Sequence, residues 1–458
     1  MLNWADQFNI CSFLDNHRYH FGHHTYECLA GAGARDIIAC SDADALDRFD
    51  AFRRRHTGWL FGHLNYDLAT IPVQPSPGKP GTDAKGGEGT DARAEFQTKA
   101  SYLNFPDLFF FVPEVVLLLS DTELAIASYG PLSPIQVFER IQAIELPPRR
   151  ATNLELRTSA PGLPTPGSRL RAIGIQARFS KEEYIEAVER LRAHILRGDC
   201  YEINFCQEFY AEGVRPDPLA VYRSLSEASP NPFGGYYKLE DQYLFCASPE
   251  RYLKKEGEIL LSQPIKGTWK REPADKGLDE HNRRQLYESS KDRSENVMVV
   301  DLVRNDLSRI CREGTVTVDE LFGIYSFPQV HQMISTVSGR LREGLGFSDI
   351  IRACFPMGSM TGAPKKRVME LIARYERSRR GLFSGALGYM EPGGDFDFNV
   401  VIRSILYNRA SGYLSYQVGS GITFYSEAEQ EYEECLLKAE AIRRVLSQES
   451  GVGSPESH

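Results

Sequence analysis

Apolar residues recur along this chain with two different periods, and each period keeps to its own stretches. GWLFGHLNYDL (58–68) and FFFVPEVVLLLS (109–120) are short aromatic and branched-aliphatic runs, the pattern of buried β-strand. From Lys181 to Arg197 the apolar positions Tyr184, Val188, Leu191 and Ile195 return at helical spacing, and Gly198 supplies a stop. Strand-like segments follow in CYEINFCQEFYA and YYKLEDQYLFCAS, then a hairpin predicted to turn at Glu256-Gly257. Two further helices are predicted around 279–308 and 426–447, the second opened by an S-x-x-E capping box at Ser426 and Glu429. Strands mixed with long helices, without regular βαβ alternation, predict an α+β fold.

Two stretches interrupt this pattern. Residues 74–100 are rich in Gly, Pro, Ala and charge, which predicts a flexible surface insertion. Pro161 to Arg169 is Pro-rich and predicts a linker. The expected organisation is an N-terminal β-rich region over 1–172, a catalytic region over 173–448 and a disordered tail over 449–458.

Composition narrows the classes of function. A net charge of −9 argues against non-specific nucleic-acid binding but leaves room for a small anionic substrate. Nine cysteines without a C-x-x-C pair suit reduced thiols in a cytoplasmic protein. The N-terminus has no signal-peptide pattern, and the most apolar run, Phe109 to Leu119, is too short to span a bilayer.

Four constellations can carry chemistry. On the last predicted helix Glu431, Glu434 and Lys438 share one face beside an apolar stripe. An exposed Glu434–Lys438 ion pair explains that spacing as well as a binding site does. Asp292 and Glu295 repeat the carboxylate spacing in KDRSENVMVVDLVRND, and two such helices can converge on Mg²⁺. FPMGSMTGAPKKRVME places a Gly-rich turn before a helix, with Pro364 suited to the first helical position, and VGSGITFYS (418–426) offers a second such turn. Neither has P-loop spacing, so carboxylates are better candidates for these turns than nucleotides. Finally, the hairpin brings Glu250 and Lys266 toward one end. Lys266 is either a partner of a nearby carboxylate or a nucleophile, and a nucleophile needs its basicity lowered by burial or a cationic neighbour.

In order, these motifs resemble the chorismate-binding enzymes, a family that includes anthranilate synthase component I, aminodeoxychorismate synthase component I and the isochorismate and salicylate synthases. The resemblance runs from about 179 to 447 through GDCYEINFC, ASPERYL, QPIKGT, KDRSENVMVVDLVRNDL, FPQVHQMISTVSG, MTGAPKKRVME and EYEECLLKAEAIRRVL. FGHLNYDL extends it loosely toward the N-terminus. It implies a large two-layer antiparallel β-sheet core flanked by helices, like that of anthranilate synthase component I. Within the family, the residue between Pro-Ile and Gly-Thr is usually Ala in anthranilate synthases and Lys in aminodeoxychorismate synthases. Here it is Lys266.

The resemblance implies roles for individual residues. Glu295 and Glu434 would hold Mg²⁺, supported by Asp292 and Glu431, and the ion would bind the ring carboxylate of chorismate. Thr361, Lys438 and the backbone near Gly421 would hold the same carboxylate, Arg403 would take the pyruvyl carboxylate, and His331 would line the pocket. Lys266 would be a covalent nucleophile and Glu250 the general acid and base, giving 4-amino-4-deoxychorismate for p-aminobenzoate and folate synthesis. A separate glutamine amidotransferase would supply ammonia, since no glutaminase nucleophile motif is present. Glu202 stands where relatives often carry Gln, Asn296 replaces a frequent His, and Ser420 replaces a common Gly. Two alternatives remain open: anthranilate synthase component I, or a regulatory subunit without catalysis.

Overall fold

A computed structural model describes residues 1–19, 23–70, 99, 102–145, 174–327 and 330–448. Within these, nineteen strands join in one antiparallel network flanked by eleven helices, the predicted α+β class. The 172/173 boundary, the linker and the tail lie outside the described residues, as does the 74–100 insertion except for Lys99.

The N-terminal strands pair directly with later ones. Ile10–Asp15 lies between Cys28–Cys40 and Phe233–Leu239, and Leu60–Leu64 lies between Leu108–Leu119 and Ala386–Met390. Leu108–Leu119 is buried along most of its length because it feeds two cores. Phe109, Phe110 and Phe111 enter one apolar cluster, while Val115 and Leu117 enter the other. Burial on both sides explains why this segment reads as a continuous apolar run.

The predicted local signals mostly act as expected. Gly198, at φ 88°, follows the end of Lys181–Leu196, and a reciprocal capping box of Ser180 and Glu183, not singled out in the sequence, opens that helix. That helix buries Tyr184, Val188, Leu191 and Ile195 in the second cluster. The hairpin of Arg251–Glu256 and Ile259–Gln263 closes at Gly257, whose φ of 57° suits glycine.

Three boundaries differ from prediction. The 279–308 segment is two helices, Lys276–Glu288 and Ser290–Ser308, separated at Ser289, which is extended and caps the second through Asp292 N–H. The last helix is divided into Ala428–Lys438 and Glu440–Gln448. Its capping box does not form, because the Ser426 hydroxyl accepts from Thr423 N–H instead. Pro364 precedes its helix as the N-cap residue, and Lys365 takes the first helical position.

Two helices frame the site. Ser290–Ser308 packs across the strands Ile265–Lys270 and Val330–Arg340. Ala428–Lys438 packs on Tyr413–Ile422 and on Lys181–Leu196.

Candidate active site

Arg251 lies opposite Gln263 in the hairpin, so Glu250 and the segment leading to Lys266 sit at the same end of it. Glu250 is buried, at 4% exposure. Burial pushes its carboxyl up to about 7, against the opposing influence of the Ser359 hydroxyl, the Lys266 charge and the Ile265 N–H. A carboxyl titrating there is protonated in part at neutral pH, as a general acid must be.

Lys266 extends from Ile265–Lys270 and donates through Nζ to Glu202 Oε1 at 2.8 Å. Its side chain is 12% exposed and that of Glu202 3%. The nucleophile reading predicts a lysine of lowered basicity, and the structure shows the opposite. Burial does act against the ammonium, but the carboxylates of Glu202, Glu295 and Glu434 outweigh it and hold the pKa above the usual lysine range. The resting side chain is therefore a protonated ammonium facing three carboxylates. Gly421 completes this corner: a Cβ there would stand 3.0 Å from both Lys266 Nζ and Glu202 Oε1.

The Glu295 and Glu434 carboxylates, one from each helix, stand near enough to act on each other's charge. Burial raises Glu295, and the charges of Glu202 and Glu434 add to that while Lys266 and Lys291 oppose it. At Glu434 burial is outweighed by Lys438, which lies 2.6 Å away and also donates to Gly419 O. Lys291 stands 4.0 Å from Glu295 and senses Glu431, Glu434 and Asp292 as well. The Asp292 carboxylate rests against Gly267, where a Cβ would lie 3.1 Å from Oδ1. Gly267 has a φ of 92° and directly follows Lys266, so its lack of a side chain allows both the turn and this approach.

Among the described residues no group of three or more His, Cys, Asp or Glu side chains could hold a metal ion alone. Magnesium is commonly held by one or two carboxylates, with waters and substrate oxygens completing its shell. The site suits that requirement: Glu295 and Glu434 face one another electrostatically, and the buried Glu431 Oε2 has no hydrogen-bond partner among the described residues. In the resting structure lysines balance this charge.

Arg403 adopts a left-handed backbone, φ 51°, uncommon for a non-glycine residue and typical of a functional constraint. Burial draws its guanidinium below the ordinary arginine range, partly offset by Glu434. Its side chain makes no hydrogen bond or ion pair among the described residues, so it is available for an anion.

Two predicted residues are engaged elsewhere. The Thr361 hydroxyl donates to carbonyls of its own turn, Met357 O at 3.1 Å and Gly358 O at 3.3 Å. The His331 ring bonds Ser326 Oγ and both the carbonyl and carboxylate of Asp279, which in turn pairs with Arg271. These contacts anchor the ring to the 276–288 helix. Sequence reasoning assigned no role to Glu202 and overlooked Ser359; the first was visible as a charge opening the strand Glu202–Ala211.

Fold and site together define a chorismate-binding enzyme, and the chain belongs to that family, whose profile ("chorismate binding enzyme") matches residues 20–444. An aminodeoxychorismate synthase component 1 from Klebsiella aerogenes is 39% identical over 273 residues, which is 60% of this chain and 59% of that protein. The match thus spans less than two thirds of that relative. An anthranilate synthase component 1 from Thermus thermophilus is 35% identical over 354 residues, covering 76% of this chain and 73% of the relative. The crystal structure of anthranilate synthase component I from Streptococcus pneumoniae has the same fold, with a TM-score of 0.71 at 24% identity over 93% of this chain and 96% of that one. No helix among the described residues is long and apolar enough to cross a membrane.

Proposed function

We propose that the chain converts chorismate and ammonia to 4-amino-4-deoxychorismate, the activity named for its aminodeoxychorismate synthase relatives. The observation that carries this reading is Lys266 itself, a buried amine set among carboxylates at the hairpin end it shares with Glu250.

In this reading Glu295 and Glu434 hold Mg²⁺, with Asp292 and Glu431 in support. When bound, the ion neutralises substrate charge and fixes the ring carboxylate. Lys438 and the backbone at Gly421 serve the same carboxylate, joined by the Thr361 hydroxyl when it turns from Met357 O toward the substrate, Arg403 takes the pyruvyl carboxylate, and His331 supports the pocket wall. Lys266, after its ammonium yields one proton to a neighbouring carboxylate, attacks C2 of the ring while Glu250 protonates the departing C4 hydroxyl to water and the double bonds shift. Ammonia then adds at C4, its surplus proton passes to Glu250, and the lysine leaves. Dividing the substitution into two steps is the gain from covalent catalysis.

A glutamine amidotransferase subunit supplies the ammonia, in keeping with the "component 1" of the relatives' names. Nine unpaired cysteines suit a reducing cytoplasm. The Thermus relative favours a second reading, addition of ammonia at C2 to give anthranilate. Product analysis separates them. With chorismate, Mg²⁺, ammonium salt and a separate pyruvate lyase, the first reading yields p-aminobenzoate; anthranilate would establish the second.

A further inference from the structure

Glu202 has no assigned part in the reaction just described, yet among the described residues it alone hydrogen-bonds Lys266 Nζ. Its strand is fixed from both sides. Gly362, at φ 140°, lets a turn approach so closely that a Cβ there would stand 2.1 Å from the Glu202 carbonyl oxygen. Further along, Glu376 accepts from Cys206 N–H, and Arg380 binds Glu376, Asn204 O and Met360 O together. The buried Glu202 Oε2 has no hydrogen-bond partner among the described residues, so one carboxylate oxygen remains available. Glu295, Glu434 and Glu250 also act on the Lys266 charge, but none shares a hydrogen bond with it.

We propose that Glu202 is the positioning residue for Lys266 and the acceptor of its ammonium proton at the moment of attack. The proposal rests on the covalent reading above. An ammonium has no lone pair, so an N–H bond must break before a C–N bond forms. In the proposed step that proton moves to Glu202, the freed pair bonds C2, and the C4–O bond breaks as Glu250 protonates the hydroxyl to water. When ammonia displaces the lysine, the amine departs with its electron pair and takes the proton back from Glu202. The pair then returns to its starting state, with no other reactant consumed.

The test compares Glu202→Gln with Glu202→Asp, each assayed with Mg²⁺, chorismate and ammonium salt. Glutamine can still accept a hydrogen bond from the lysine but is no base. For Glu202→Gln we expect kcat to fall about 100-fold or more near neutral pH, in the range of general-base catalysis. The KM for chorismate should stay within about threefold, the pattern of an interaction used only in the transition state. Aspartate should lose clearly less. The ratio of Glu202→Gln to wild-type kcat should climb with pH as hydroxide takes over proton removal; titration of Glu250 is common to both and cancels. Wild-type kcat in Glu202→Gln, equal losses in both variants, or a ratio independent of pH would overturn the proposal. So would a parallel loss of equilibrium affinity for chorismate, which would mark a purely structural residue. If the wild-type protein forms no aminodeoxychorismate, the parent reading fails instead.

Discussion

Gly421 faces the Lys266 amine so closely that a Cβ would stand 3.0 Å from Nζ, and equally close to the carboxylate that holds it. Only the flexible ends of two side chains would be displaced, so Gly421→Ala should fold. The cost should fall on chemistry, because small misplacements of a reacting group are expensive. We expect kcat to drop about 10- to 100-fold with the thermal midpoint little changed. Unaltered turnover would show that the position of the amine is not critical.

The same ion pair carries stability. Lys266→Met removes the charge that balances a buried carboxylate, and breaking such a pair from one side costs about 3–5 kcal/mol. Adding Glu202→Gln to Lys266→Met should recover most of that loss while activity stays absent. Denaturant unfolding of the two single variants and the double variant measures the coupling.

Glu250 ties activity to pH. Its folded pKa of about 7 lies above the ordinary carboxyl value. As a general acid it must be protonated, so kcat/KM should fall as pH rises through about 7. Stability follows the same sign. The protonated form is favoured in the fold, so this contribution is complete below the unfolded pKa and is lost as pH rises through the folded one. Glu250→Gln should therefore be inactive at every pH, yet more stable than wild type at pH 8. Lower stability at pH 8 would contradict the burial argument.

Metal and anion sites separate kinetically. Losing even an outer partner costs a metal site about 10- to 100-fold in affinity. Glu295→Gln and Glu434→Gln should raise the Mg²⁺ needed for half-maximal rate by at least about that factor, and chelation of wild type should abolish turnover reversibly. Arg403→Ala should act on substrate instead. Hydrogen bonds to charged groups are worth about 1.5–3 kcal/mol, so KM for chorismate should rise about 10- to 100-fold with the Mg²⁺ requirement unchanged.

Features written within a few residues of each other were legible in the sequence. The Gly257 turn, the Gly198 stop and the Tyr184-to-Ile195 stripe all act locally, and the structure shows each. The two acid pairs were also readable, because Glu295 and Glu434 each stand one helical turn from another acid beside an apolar stripe, and the structure brings the two within reach of each other's charge. What escaped depends on distant partners or on local competition. Glu202 and Lys266 are 64 residues apart and meet through separate strands, so no spacing rule joins them. The capping box at Ser426 failed because Thr423 N–H competes for the same hydroxyl. The sequence left Lys266 open between a carboxylate partner and a nucleophile of lowered basicity, because the three carboxylates that surround it and raise its basicity come from distant segments.

The central claim is that Lys266 becomes covalently attached to the substrate ring. Peptide mass spectrometry of the protein incubated with chorismate and Mg²⁺, without ammonia, tests it directly. The account predicts an adduct of chorismate less water on the Lys266 peptide, discharged to 4-amino-4-deoxychorismate when ammonium salt is added, and absent in Lys266→Ala. Formation of aminodeoxychorismate by Lys266→Ala at the wild-type rate, with no adduct on the wild-type peptide, would contradict it.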